Sequence, residues 1–296
     1  MKRIDLHIHT NISDGSFTPK EVIDEAYQNG VSTIAIADHD TIEAYTEELF
    51  KYAESKNVML IPAVEISTKI EKAGIHVLGY YFDWKDSTLK EELAKLRNIR
   101  HDYLHEVAKK LEELGYCLNM ESLDSIDAVT KAHIALDIVT NPQNKKILMQ
   151  EFGYIPSKGE FIETIMNENC PAYVKKRTVS PREAAEIIRK AKGKVVLAHP
   201  VAYAQEDGLT EKDILEIIKD MKPDGLEANY LYVDHNNNKI DETKKWNKFA
   251  KEHHLFTTIG SDFHSKDGIR PEIGLVNTNV ILTEEEIKNM IQNILE

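Results

Sequence analysis

Histidines and carboxylates recur along this chain in short clusters whose spacing suits metal ligation. In Asp5-Leu6-His7-Ile8-His9 the two histidines stand two apart within an apolar run. A β-strand sends both rings to one face, so two imidazoles converge on one point. The turn Ser13-Asp14-Gly15 then supplies a carboxylate at the C-terminal end of that run. The pattern repeats. Ile34-Ala35-Ile36-Ala37 leads into Asp38-His39-Asp40, Met59-Leu60-Ile61 leads to Glu65, and His76 lies in the next apolar run. Val195-Val196-Leu197-Ala198 ends in His199-Pro200, and Ile259-Gly260-Ser261 ends in Asp262-Phe263-His264. A lone pair of alternating histidines is often just hydrogen-bonded; repetition at successive strand ends points to a metal site.

Nitrogen and oxygen donors without thiolate suit manganese, zinc or iron. His7, His9, Asp14, His39, Glu65, His76, His199, Asp262 and His264 are too many ligands for a single ion. The expectation is two or three divalent ions sharing bridging carboxylates. The net charge of −13 argues against coating duplex nucleic acid, which needs a basic face. A globally acidic protein can still hold a small phosphorylated substrate where clustered dications dominate the local field.

A regular frame must position these groups. Short β-type runs alternate with helical stretches over Ile4–Ile8, Thr18–Asn29, Thr33–Ala37, Thr41–Ser55, Val58–Ser67 and Ile75–Phe82. That rhythm predicts α/β structure with a parallel sheet. Thr18-Pro19-Lys20-Glu21 reads as a capping box with proline at the first helical position, and Gly30 stands where a helix ends. From Ser87 to Asn169 helical periodicity takes over, led by a long charged helix ending near Gly115. Alternation resumes with Ala172–Lys175, a helix opened by Ser180-Pro181-Arg182-Glu183, then Lys194–Ala198, Gly225–Asn229 and Phe256–Gly260, before a closing helix over Thr283–Leu295. About seven strands, each with a helix, suit a closed or nearly closed barrel. The expected organisation is a barrel over residues 1–86 and 172–296, interrupted by a helical cap over 87–171.

With 296 residues, 42% hydrophobic and 29% charged, the chain can bury one large core with a modest second unit. Cys117 and Cys170 form neither a CxxC pair nor a framework of close spacings, so no disulfide or thiolate site is expected. The opening MKRIDLHIHT lacks an apolar signal region, and no run approaches the ~20 apolar residues of a membrane span. A cytoplasmic protein with no membrane association and no obligate protein partner is expected.

Taken in order, His7-x-His9, Asp14-Gly15, Asp38-His39, Glu65, His76, Ala198-His199-Pro200 and Gly260-Ser261-Asp262-Phe263-His264 resemble the motifs of the PHP (polymerase and histidinol phosphatase) phosphoesterases, over residues 1–85 and 172–280. The resemblance implies a distorted (β/α)7 barrel with an inserted small helical domain and a two- or three-metal cluster at the mouth of its strands. The insertion is similar to the cap of the 3′,5′-nucleotide bisphosphate phosphatases and related small RNA-end nucleases, where an arginine-rich helix and a Thr-Arg-x-His segment face the metals. The matching positions are Arg97 and Arg100, and Thr130-Lys131-Ala132-His133, so Arg97, Arg100, Lys131 and His133 are the expected substrate-binding residues. Lys131 stands in place of the arginine; it attracts phosphate as a point charge but lacks the bidentate fork.

By analogy with metal hydrolases, a hydroxide bridging two ions would attack phosphorus in line while metals and cap cations neutralise the developing charge. His7, His9, Glu65 and Asp262 are assigned to one ion and Asp14, His39 and His264 to a second, with Glu65, His76 and His199 able to complete a third. Asp38 and Asp40 are read as orienters of the neighbouring histidine, and His133 or a metal-bound water as the leaving-group acid. The expected activity is hydrolysis of a phosphomonoester on a small nucleotide or sugar phosphate, with a nucleoside 3′,5′-bisphosphate favoured. The alternatives are a cyclic phosphodiester hydrolase, a short-RNA 5′-end exonuclease, a histidinol-phosphate phosphatase, and a non-catalytic module braced by metals. His101 and His105 lack the glutamate of a HExxH motif and read as surface residues, Lys175, Lys176, Arg177 and Arg270 read mainly as surface cations, and His235, His253 and His254 receive no role.

Overall fold

A computed structural model describes residues 3–126, 129–175, 178–234, 236–276, 278 and 282–296. It contains two compact units, one formed by residues 1–93 and 179–296 and the other by residues 94–178.

The first unit is built on strands β1 (Arg3–Ile8), β2 (Val31–Ile36), β3 (Met59–Lys69), β4 (Gly74–Tyr80), β5 (Lys194–Leu197) and β6 (Gly225–Asn229), then the small hairpin of β7 (Tyr232–Val233) and β8 (Lys239–Ile240), and finally β9 (Phe256–Ile259). The principal sheet has seven strands in the order β1-β2-β3-β4-β5-β6-β9. Its pairs are parallel except for those of β4, which runs antiparallel to both β3 and β5. The sheet is thus mainly parallel, as expected, with β4 as the reversed strand. β3 and β4 are joined through a tight turn in which Ile70 N–H donates to Ala73 C=O at 2.9 Å, and a parallel crossover needs a dozen or more residues.

The two edges of the sheet meet at the ligand-bearing end. His9 N–H donates to Phe263 C=O, and Asp262 N–H donates to His7 C=O, both at 2.9 Å, around a parallel bridge between Ile8 and Phe263. This is the closure that a barrel requires at that end.

Alternation along the strands explains how one face serves two purposes. Ile4, Leu6, Ala35, Ala37, Ile61, Ala63, Leu78, Tyr80, Val196 and Ala198 form one buried cluster. Glu65 continues the series Ile61, Ala63, and His76 continues the series Leu78, Tyr80, so core and ligands come from the same face. Flanking the strands are α1 (Pro19–Gln28), α2 (Glu47–Ser55), α8 (Pro181–Lys190), α9 (Pro200–Glu206), α10 (Glu211–Met221), α11 (Thr243–Glu252) and α12 (Glu284–Leu295). Thr18, Ser180 and Thr283 each close a reciprocal capping box with a glutamate three residues on, which satisfies otherwise orphaned backbone donors. Helix α2 begins later than predicted: Thr46 is its cap, and the residues from Thr41 onward form the approach to it.

The second unit contains most of α3 (Ser87–Glu113), followed by α4 (Met120–Asp124), α5 (Lys131–Thr140), α6 (Lys145–Phe152) and α7 (Lys158–Phe161). Its core gathers Leu104, Val107, Leu111, Ile134, Ile138, Leu148, Phe161 and Met166. Ala172 and Val174 also join this core, which corrects the strand expected over Ala172–Lys175: their side chains are buried by helices, without strand partners. Among the described residues no helix is long and apolar enough to cross a membrane.

Candidate metal centre

All nine ligand candidates belong to the sheet-containing unit, and their side chains gather at the end where its edges meet. Donor atoms of His7, His9, Glu65 and Asp262 lie within 4.8 Å of one another, as do those of His9, Asp14, His39 and His264, and those of His39, Glu65 and His76. The first group coincides with the sequence assignment. In the second, His9 joins the expected Asp14, His39 and His264. In the third, His39 takes the place expected for His199, whose Nε2 stands 3.2 Å from Glu65 Oε1.

Glu65 links the groups. Its Oε2 lies 3.3 Å from His7 Nε2 and 3.2 Å from both His9 Nε2 and His39 Nδ1, while Oε1 lies 3.0 Å from His76 Nδ1. Asp262 Oδ1 stands 3.1 Å from His9 Nε2 and 3.5 Å from His7 Nε2, and those two nitrogens are 3.1 Å apart. Ligands at about 2.0–2.2 Å from a tetrahedral ion are separated from each other by about 3.3–3.6 Å. The separations within the group of His7, His9, Glu65 and Asp262, 3.1–3.5 Å, lie within or slightly below that range, and the donor set is one that divalent cations take. Burial adds a second sign of fit, because the ring nitrogens His9 Nδ1 and His199 Nδ1 are buried without hydrogen-bond partners.

The electrostatics show how strongly this cluster demands positive charge. Burial opposes ionisation of Glu65, Asp262 and Asp14, yet the surrounding histidines hold all three well below the usual carboxylate range. Burial likewise opposes charge on His9, but hydrogen bonds and charge from Asp262 and Glu65 raise it to about 10. His7 is driven well above its ordinary value, against its burial, by Glu227, Glu65 and Asp262. Burial lowers His39 to about 3, with His9 and His76 adding to the effect against Asp14 and Glu65. The carboxylates thus favour positive charge on His7 and His9, the kind of charge that a cation would supply.

Backbone geometry builds the cluster. A Cβ on Gly15 would lie 2.5 Å from His9 O, so only glycine lets the Asp14 loop lie on the end of β1. At Gly260 a Cβ would fall 2.3 Å from both Glu227 Oε1 and His7 Cβ. Asp262 adopts the left-handed region at φ 52°, a conformation that aspartate tolerates better than most side chains.

Several supporting residues escaped sequence reasoning. Glu227, fully buried on β6, accepts from His7 Nδ1 at 3.0 Å through Oε1 and from the His199 amide at 3.0 Å through Oε2. An acidic residue inside the otherwise apolar run Gly225-Leu226-Glu227-Ala228 was the available signal. Asp5 Oδ1 accepts from the amide of Ser261 and Oδ2 from that of Gly274, and burial raises its carboxyl to about 6. Tyr230 Oη donates to Asp262 Oδ2 at 3.2 Å. Asp38 and Asp40, expected to orient His39, brace loops: Asp38 accepts from Thr10 N, Thr10 Oγ1 and Ser13 Oγ at 2.6–2.7 Å, and Asp40 Oδ1 accepts from Ser67 N at 3.0 Å.

The ligands open onto a cavity of about 440 Å3, whose wall beyond the metal cluster includes Tyr203, Glu206, Tyr230, Tyr232 and Arg270. Arg270, read from sequence mainly as a surface cation, faces this cavity.

The expected substrate-binding residues belong to the helical unit. Arg100 is buried and donates to Val129 C=O at 3.4 Å, and Lys131 Nζ donates to Asn167 Oδ1 at 3.2 Å. His133 completes a capping box: Thr130 Oγ1 accepts from its amide, and its Nδ1 accepts from Thr130 N at 3.1 Å. His101 and His105 lie 3.5 and 3.1 Å from Asp124 Oδ1. Lys176, Arg177 and His235 lie outside the described residues.

Comparison with known proteins follows the same lines. The PHP domain family model matches residues 5–195. A 5′-3′ exoribonuclease of Haemophilus influenzae is 31% identical over 268 residues, spanning 89% of this chain and 90% of that protein. A 3′,5′-nucleoside bisphosphate phosphatase of Chromobacterium violaceum is 27% identical over 269 residues, spanning 90% of this chain and 88% of its own length. A solved structure from Bifidobacterium adolescentis shares the fold with a TM-score of 0.75 at 21% identity, covering 100% of this chain and 97% of that one.

Proposed function

Because this chain belongs to the PHP domain family and is a metal-dependent phosphoesterase, we propose that it cleaves the ester at the 3′ oxygen of a 5′-phosphorylated nucleotide, with a nucleoside 3′,5′-bisphosphate as favoured substrate. The products are the nucleoside 5′-phosphate and inorganic phosphate. The observation that carries this reading is the sharing of ligands: His9, His39 and Glu65 each belong to two donor groups, so adjoining cations would face one reacting phosphoryl group.

Two or three divalent ions, manganese, zinc or iron, fit these groups, held by His7, His9, Glu65 and Asp262, by His9, Asp14, His39 and His264, and by His39, Glu65 and His76 with His199 alongside. When bound, such ions supply the Lewis acidity that activates water and offsets charge on phosphoryl oxygens. Glu65 keeps adjoining ligand sets in register through its two oxygens. Arg270 gives the cavity wall a positive charge that draws in the anionic substrate. Arg97, Arg100 and Lys131 are the proposed contacts of the remaining phosphate. His133 is the proposed donor to the leaving 3′ oxygen, because the bond accepted at Nδ1 assigns its proton to Nε2.

A second reading, removal of nucleotides from the 5′ end of short RNA, is favoured by the similarity to the Haemophilus influenzae protein. It breaks the same bond: the 3′ oxygen of a 5′-phosphorylated nucleotide leaves phosphorus, which carries either no further residue or the rest of the RNA. Manganese-loaded protein incubated with adenosine 3′,5′-bisphosphate, 5′-AMP, a cyclic phosphate and a short 5′-phosphorylated RNA, with a chelator control, separates these cases. Phosphate release from the bisphosphate alone supports the favoured reading. Nucleotide release from RNA in preference to phosphate replaces it with the second. Attack on the cyclic ester alone, or no turnover of any of the four, overturns both.

A further inference from the structure

Asp262 offers its two oxygens to different partners. All the described histidine approaches fall on Oδ1, from His9 Nε2 at 3.1 Å, His7 Nε2 at 3.5 Å and His264 Nδ1 at 3.7 Å. Oδ2 accepts the Tyr230 hydroxyl at 3.2 Å. The backbone of Asp262 lies at φ 52° and its amide donates to His7 C=O, while the carboxylate keeps the freedom of its side-chain torsions.

Tyr230 is well placed to remove that freedom. It follows directly on β6, whose last residue is tied to the neighbouring strand by Asn229 Nδ2 donating to Thr258 C=O at 2.9 Å. Its ring packs 5.3 Å from that of His199 at an interplanar angle of 44°. The phenol therefore approaches Asp262 from a wall that is anchored on one side by the sheet and on another by a ligand candidate.

We propose that Tyr230 is a positioning residue that keeps Asp262 a one-oxygen ligand, occupying Oδ2 so that only Oδ1 faces the His7–His9 donor group. A carboxylate free to turn could offer both oxygens to one ion and fill a position that water or the phosphoryl oxygen needs. The inference rests on the reading of this cluster as a metal centre. It extends that reading by assigning a role to a residue that is not itself a ligand.

The test compares wild type, Tyr230→Phe, Asp262→Asn and the double variant, using manganese and zinc in competition with a chromophoric chelator alongside steady-state turnover. Tyr230→Phe keeps the ring against His199 and deletes only the hydroxyl. Loss of an outer hydrogen bond to a ligand is expected to weaken metal binding or turnover by roughly 10- to 100-fold. Because Tyr230 acts through Asp262, the second substitution should add nothing to metal affinity once Asp262 is asparagine. A metal affinity and kcat of Tyr230→Phe both within twofold of wild type overturn the proposal, as do losses that add in the double variant. If wild type competes for neither metal, the metal centre itself fails, and the proposal with it.

Discussion

Glu227 and His7 are joined at 3.0 Å across the back of the cluster, the carboxylate accepting from Nδ1 and so directing Nε2 toward Glu65 and Asp262. The ring's ligating nitrogen is thus selected by a residue that is not among the expected ligands. In Glu227→Gln, one amide terminus must face either His7 Nδ1–H or the His199 amide, setting donor against donor. Metal affinity should fall roughly 10- to 100-fold with the fold retained. Chelator competition and circular dichroism check this; unchanged affinity would remove Glu227 from the site.

Gly260→Ala tests the slot that this pair requires. The new methyl would stand 2.3 Å from Glu227 Oε1 and from His7 Cβ; the carboxylate is fully buried and held by His7 and the His199 amide, and the Cβ is carried directly by the backbone of β1. Overpacking of this kind costs roughly 1–3 kcal/mol, so thermal unfolding should shift downward and turnover should fall with it. An alanine variant as stable and as active as wild type would show that the carboxylate and the ring can separate.

Metal uptake should release protons. His9 is raised to about 10 and His7 well above its usual value, so near neutral pH the surrounding carboxylates favour extra protons on this histidine pair in the metal-free protein. Their contribution to stability is fully present below 6.5, the ordinary histidine value, and is lost as pH rises through the raised value. A bound cation must displace those protons, and affinity should therefore climb as pH rises from 6 to 9. Titration in weak buffer with an indicator dye measures the release; pH-independent affinity would contradict the assignment.

Asp262→Ala should abolish turnover on every substrate while leaving the circular dichroism spectrum close to wild type. The side chain is a ligand candidate at the surface of the cavity and no part of the apolar core. Full activity in this variant would refute the metal-centre argument.

How much of this was legible in the sequence depended on whether a signal was local. His7 and His9 announce a shared direction by spacing alone, and Thr18, Ser180 and Thr283 announce helix starts through their partners three residues on. The reversal of β4 was not read, although the short link between Ser67 and Ile75 leaves no space for a crossover. Glu227 was hidden because a single acid within a short strand has the same local pattern whether it faces solvent or a buried imidazole. Its role depends on Gly260 and His7, which reach it only through the sheet. Ala172–Lys175 misled for a related reason: alternating apolar residues suit any buried stretch, and the helical core claimed them.

The hydrogen bonds between His7 and Asp262 and between His9 and Phe263 also set a clock. One side of the donor cluster is synthesised before the helical unit, and the other only after it, when Asp262 and His264 leave the ribosome. No shorter nascent chain can present the complete set of ligands to an ion. His7 and His9 must wait for partners that lie beyond the helical unit, and this long sequence separation makes assembly of the centre a late event in folding.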